Sequence, residues 1–222
     1  MPITKKYPAM KLAIIGANGK IGSRIAEEAL NRGHSVTGIA RNPDSGIQND
    51  RVTWVKSNAL DPQKLAPIVA GQDAVISAFG IDWGRPETYP LFTDMAHSLL
   101  AAAKAAGVKR ILVVGGAGSL EVAPGIQLVD TEGFPETWRQ GANEQRKSLN
   151  IFYGETELEW TFFSPAIMIE PGPRTGKYRL GKDNPVFDEK GNSEISYDDY
   201  AMAMIDEVEN PRFIRQRFTI GY

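Results

Sequence analysis

Apolar residues recur along this chain in two alternating rhythms. Leu12 to Ile15 is a short unbroken apolar run, the mark of a buried strand, and Ile21, Ile25, Ala26, Ala29 and Leu30 then follow at the spacing of one helical face. Gly33 stands where a left-handed residue closes a helix. Residues 35–40 and 52–55 read as the second and third strands. Asp61 and Pro62 supply an N-cap and a first helical position, in a helix that Pro67 must shorten or kink and Gly71 ends. Residues 73–78 form a fourth, nearly continuous apolar strand. The stripe Leu91, Phe92, Met95, Leu99, Leu100, Ala103 predicts a helix over 90–106, closed by Gly107, and 110–114 is the fifth strand.

Beyond residue 120 the pattern loosens. Residues 120–134 are irregular and mixed apolar, too long for a plain connector. A polar helix is expected from Pro135 to about residue 152, then a sixth strand at 159–163. The remainder, 167–222, is broken by Pro171, Pro173, Gly176 and Gly181. It recovers in a helix with Ser196 as N-cap and Asp199 at the capping-box position, and in a last strand at 218–220. Residues 1–10 read as a loose leader. Strands and helices joined by short connections predict an α/β fold, a Rossmann-like doubly wound parallel sheet. We expect one domain over 1–222, with a core at 1–166 and a small C-terminal appendage on the substrate side at 167–222.

The first connection carries the chemistry. Gly16, Gly19 and Gly22 fall between a strand and a helix at Gly-x-x-Gly-x-x-Gly spacing. Glycines there let the backbone turn tightly and approach a pyrophosphate, while free N–H groups at the helix N-terminus face the anion. Motif and context together point to dinucleotide binding. The end of the second strand decides which dinucleotide. A carboxylate there suits a free ribose 2′-hydroxyl and an arginine suits a 2′-phosphate. The residue is Arg41, with no carboxylate before Asp44, so NADP is expected over NAD.

Composition narrows the remaining classes. The 222 residues have a net charge of −2, which suggests neither a nucleic-acid nor an anionic-membrane surface. With no cysteine and two histidines, a metal site and a cysteine nucleophile are not expected. His34 follows a helix end, where it can face the negative pole of the dipole, and His97 rides the 90–106 helix. Asp198 and Asp199 read as helix N-terminal charge, and Glu155, Glu157 and Glu159 as a solvated alternation. No signal-peptide core or membrane-length apolar stretch is evident, so a cytoplasmic monomer or homodimer is the expectation.

Several longer segments carry a family resemblance: residues 16–22 (GANGKIG), 40–43 (ARNP), 113–125 (VVGGAGSLEVAPG), 160–166 (WTFFSPA) and 174–181 (RTGKYRLG). Over nearly its whole length the chain resembles the atypical short-chain dehydrogenase/reductase superfamily. Within it, the chain is most similar to the NADH-flavin reductase group, related to biliverdin-IXβ/flavin reductases and NmrA-like proteins. The resemblance implies that Gly16, Asn18, Gly19, Lys20 and Ile21 line the pyrophosphate and that Arg41 meets the 2′-phosphate. Asn58 and Ala59 would bracket the adenine, although an aspartate is more usual than Asn58. Ser77, Ala78, Phe79 and Gly80 would follow the central ribose. Gly115, Gly116 and Ser119 would approach the nicotinamide from one strand, and Ser164, Pro165 and Ala166 from the next.

One departure sets the chemistry apart. Typical members use Tyr-x-x-x-Lys on the helix before the sixth strand, the lysine lowering the tyrosine's pKa for acid/base work. Here that spacing occurs at Tyr7/Lys11 and Tyr178/Lys182, neither on that helix, and Tyr153 has Glu157 four residues on. Hydride delivery to a conjugated planar acceptor such as a flavin or quinone needs little such help. Trp83, Phe134 and Trp138 would wall a cleft for that acceptor, although each taken alone is better read as ordinary core or loop packing. Ser119 either donates a hydrogen bond to the acceptor or the nicotinamide, or merely caps its loop. The alternative reading is a non-catalytic NmrA-like sensor of NAD(P). A nucleotide-sugar epimerase fits less well, lacking the tyrosine and a larger C-terminal domain.

Overall fold

In the computed structural model, which describes residues 7–222, the alternation becomes one eight-stranded sheet. The first six residues of the expected leader lie outside the described residues. The chain runs β1 (Lys11–Ile15), α1 (Lys20–Asn31), β2 (Ser35–Ala40), β3 (Val52–Lys56), α2 (Pro62–Val69), β4 (Ala74–Ser77), α3 (Leu91–Ala106) and β5 (Arg110–Val114). It continues with β6 (Glu121–Ala123), β7 (Ile126–Gln127), α4 (Glu136–Tyr153), β8 (Glu159–Ser164), β9 (Met168–Glu170), β10 (Arg179–Gly181), β11 (Glu194–Ser196), α5 (Tyr197–Glu209) and β12 (Gln216–Gly221). The main sheet has the order β3-β2-β1-β4-β5-β8-β12-β10, and all its pairs are parallel except β10 with β12. This is the Rossmann-like α/β fold. The order reverses between β1 and β4, and open sheets of this kind take ligands outside the strand ends at that point.

The strands are apolar on both sides because helices cover both faces. On one face Leu12, Ile14, Ile76, Leu112, Phe163 and Phe218 pack with residues of α1 and α5. Four rings stack there in series, Phe213 on Phe218, Phe218 on Phe163 and Phe163 on Tyr200, with centroids 4.4, 3.9 and 4.1 Å apart. On the other face Ala13, Ile15, Val75, Ile111, Val113 and Phe162 meet residues of α2, α3 and α4. Pro67 sits inside α2 without a visible break, because that helix ends two residues later at Val69. Asp61 caps it as expected, accepting from the Gln63 and Lys64 amides.

Three expectations are corrected. The 120–134 stretch is not wholly irregular: β6 and β7 form a small antiparallel hairpin turning at Gly125, whose φ is +72°. The 167–222 segment is only partly an appendage. β9 and β11 make a separate two-stranded sheet, whereas β12 and β10 extend the main one and α5 packs along α1. Without β12 and β10 the hydrogen-bonding edge of β8 would stand unpaired.

The third is the solvated alternation at Glu155, whereas the acidic pair does stand in the first turn of α5 but supplies more than charge. Asp198 meets Arg24 at 3.2 Å, but Asp199 is completely buried. The Ser196 hydroxyl accepts from the Asp199 amide as a cap should. The Asp199 carboxylate, however, turns away to accept from the Thr175 and Gly176 amides and the Thr175 and Tyr222 hydroxyls. It pins the 174–176 loop across the top of α5. Glu155 is likewise buried rather than solvated, and accepts from the Glu157 and Leu158 amides and Lys104. Burial pushes its carboxyl up, but those donors outweigh it and hold the group below the usual range. Among the described residues no helix is long and apolar enough to cross a membrane.

Candidate functional site

The glycine turn after β1 is packed from two sides. Gly16 has φ +74°, and a Cβ there would lie 2.5 Å from the Ala78 carbonyl oxygen at the exit of β4. A Cβ on Gly22 would lie 2.1 Å from the Gly16 carbonyl oxygen, so α1 seats directly on the turn. Gly19 is the N-cap and brings no side-chain cap, and no acidic residue stands in the first turn. The Gly19 amide is used by the Gly16 carbonyl, and the first intrahelical bond runs from Ser23 to Gly19. The amides of Lys20, Ile21 and Gly22 therefore point outward at the positive end of a helix of 12 residues. Donor set and bare backbone fit a pyrophosphate.

The side chains around the turn differ in their freedom. Asn18 donates to the Asn42 carbonyl at 2.6 Å and thereby ties the turn to the segment leaving β2. Arg41, one residue before that carbonyl, is exposed and forms no ion pair with a described residue. Asn58 is exposed and accepts from the Leu60 amide, while Ala59 is buried and its carbonyl accepts from Ser98. Ser77, Ala78, Phe79 and Gly80 leave β4 in that order, with the Ala78 amide donating to Ile15 and the Phe79 ring edge-on to Phe92.

Beside them, at the ends of β4 and β5, is a cavity of about 20 Å³. Ser77, Gln145 and Ser148 line it together with Phe79, Phe92, Met95, Val113, Phe152 and Phe162. Gly115 and Gly116 border it: a Cβ on Gly115 would strike the Phe162 ring at 2.1 Å, and one on Gly116 would lie 2.0 Å from the Gln145 amide oxygen. Ser164, Pro165 and Ala166 are buried. The Ser164 hydroxyl is enclosed without a hydrogen-bond partner among the described residues, and the Pro165 carbonyl accepts from Thr219.

Ser119 does not line that cavity. It is buried, and the Arg217 guanidinium donates to its carbonyl at 2.6 Å and its hydroxyl at 3.2 Å. The other edge of Arg217 reaches Asp183. Arg217 anchors the Ser119 loop to β12, in keeping with the loop-capping alternative, and uses only acceptor positions of Ser119.

The three aromatics gather along α4. Trp83 is 41 % exposed and lies against Phe92 and Tyr89; a Cβ on Gly141 would come within 2.5 Å of its ring. Trp138, 49 % exposed, is one turn before Gly141 on the same helix. Phe134 instead lies under the Arg139 guanidinium, 5.7 Å from its carbon, and props the start of α4.

The tyrosines have other employment. Tyr153 packs edge-on against Trp160 at the start of β8, the opposite end of that strand from Ser164, and burial pushes its phenol up against the pull of Arg217. Tyr178 donates to Asp206, and burial with that hydrogen bond raises its pKa well above the usual range. Tyr89 donates to the Trp83 carbonyl and Tyr200 to the Phe163 carbonyl. His34 is buried between the Met10 amide and Glu209.

Gln145 and Ser148 are absent from the sequence-based list. They fall on the polar helix before β8, where nothing but their position after folding separates them from the solvated residues beside them.

A family model described as NAD(P)H-binding matches residues 16–211. An uncharacterized Bacillus subtilis (strain 168) protein, YwnB, is 41 % identical over 216 residues, 95 % of this chain and 98 % of that one. Among solved structures, one described as an inferred epimerase from Bacteroides thetaiotaomicron is 43 % identical with a TM-score of 0.89, covering 97 % of this chain and 98 % of its own. Another, described as an inferred NADH-flavin reductase from Streptococcus pneumoniae TIGR4, is 37 % identical with a TM-score of 0.85, covering 96 % and 99 %.

Proposed function

Since the chain belongs to the NAD(P)H-binding family, we propose that it is an NADPH-dependent reductase that passes hydride to a flavin, quinone or similar planar acceptor. The observation that carries this reading is the juxtaposition of two features. A backbone cradle for a pyrophosphate stands at the switch point, and an aromatic-rimmed cavity stands at the neighbouring strand ends.

Gly16 and the amides of Lys20, Ile21 and Gly22 would hold the pyrophosphate, Arg41 the 2′-phosphate, and residues 77–80 the central ribose. When bound there, the coenzyme supplies a hydride. The chain's own part is to hold the two reactants together and keep water out. Trp83 and Trp138 offer flat faces to an acceptor ring, and Phe79, Phe92 and Phe162 dry the space behind it. The partners of Tyr89, Tyr178 and Tyr200 agree with a proton taken from solvent, since each of those hydroxyls is engaged elsewhere. The likeness to a protein described as an NADH-flavin reductase agrees with this reading.

The test is to titrate the purified protein with NADPH and NADH, then follow loss of the reduced-nicotinamide absorbance with a panel of flavins and quinones. Coenzyme binding with acceptor-dependent oxidation is expected. Binding without oxidation across the panel would reject a reductase in favour of a sensor.

A further inference from the structure

The small cavity near Gly116 is mostly apolar, but Ser77, Gln145 and Ser148 place polar groups in its wall. Ser77 is 2 % exposed and Ser148 5 %, and Gln145 is half-buried between them and Gly116. None of these three side chains hydrogen-bonds to another described residue. Their polar atoms are not sealed from solvent, so each can serve a ligand atom as readily as water. The space, about 20 Å³, is enough for one water-sized atom. Trp83 rests on Gly141, one helical turn before Gln145 on the same helix. One turn of helix therefore separates an exposed flat ring from the amide that lines the cavity.

We propose that Gln145 is the hydrogen-bond donor to the carbonyl oxygen of the acceptor, and that the acceptor class is therefore a quinone or other conjugated ketone. This rests on the reductase reading. As a hydride and its electron pair add to the carbon conjugated with that carbonyl, the π pair shifts onto the oxygen, giving an enolate or phenolate. The reduced coenzyme leaves oxidised, and water supplies the proton. A glutamine cannot give up a proton, but its N–H groups stabilise the growing negative charge, in either orientation of the amide. Ser77 and Ser148 offer further donors to the same atom.

The test separates this role from turnover. The probe is 4-cyanophenol, a non-reducible stand-in for the oxyanion, titrated against protein saturated with oxidised NADP and followed by phenolate absorbance and calorimetry. The wild-type protein is expected to prefer the phenolate, shifting the probe's titration to lower pH. Gln145→Leu should abolish that shift and weaken binding at least tenfold, and Gln145→Glu should reverse the preference by like-charge repulsion. NADP affinity should stay within about twofold in both, which reports an intact fold.

With a benzoquinone as acceptor, Gln145→Leu should lower kcat/KM roughly a hundredfold, as removal of one oxyanion donor does elsewhere. An unshifted probe in wild type, or a shift that survives in Gln145→Leu, overturns the proposal. If no acceptor is reduced but the probe arm behaves as expected, the reductase reading falls while Gln145 stands as an oxyanion donor.

Discussion

Gly16 and Ala78 approach so closely, at the carboxyl ends of adjacent strands, that no side chain can be placed between them. The contact fixes the glycine turn against β4, and with it the direction in which the first amides of α1 point. Gly16→Ala would add both a left-handed backbone conformation and a collision with a carbonyl oxygen. The conformation alone costs about 1–2 kcal/mol. We expect urea denaturation to show at least that loss, and calorimetry to show NADPH binding abolished.

Arg41 is exposed beside the turn and forms no ion pair with a described residue. If it meets a 2′-phosphate, Arg41→Ser removes charge-assisted hydrogen bonds of about 1.5–3 kcal/mol. NADPH affinity should fall tenfold to a hundredfold while NADH affinity is unchanged. Equal losses for both coenzymes would remove the basis for NADP preference.

Ser164 carries a hydroxyl sealed in the interior with no partner among the described residues. Deleting an unpaired buried polar group removes its desolvation cost, so Ser164→Ala should leave stability unchanged or raise it by up to about 1 kcal/mol. Thermal melts of the coenzyme-free protein check this. A clear drop in Tm would show that the hydroxyl has a hidden partner.

Glu28 on α1 is held by Arg32 at 2.8 Å and by Arg174 at 2.8 Å. Burial pushes its carboxyl up, but the two guanidinium groups outweigh that and keep it below its ordinary 4.5. A carboxyl depressed in the folded state contributes stability that is fully present above about pH 4.5 and is lost as pH falls through the folded value. Glu28→Gln should therefore lower stability at pH 7 by about 1–3 kcal/mol. It should also flatten the acid limb of the stability profile below about pH 4.5, measured by denaturation across pH.

The alternating apolar runs and helical stripes suffice to locate the strands and helices of the core, because the central strands β1, β4 and β5 are buried on both faces and the helices on one. The Gly16–Gly22 spacing likewise locates the phosphate cradle, since only glycine tolerates those backbone approaches. What the sequence could not reveal is where polar side chains go once distant segments meet.

Asp199 looks like surface charge until the Thr175 and Gly176 amides and Tyr222 surround it. Ser119 looks like one more loop serine until Arg217, nearly a hundred residues on, donates to both its oxygens. Gln145 is one more polar residue on a polar helix until β4 and β5 bring Ser77 and Gly116 against it. Burial of apolar faces is written locally, as periodicity. The partner of a hydrogen bond is chosen in three dimensions, and only the assembled sheet decides it.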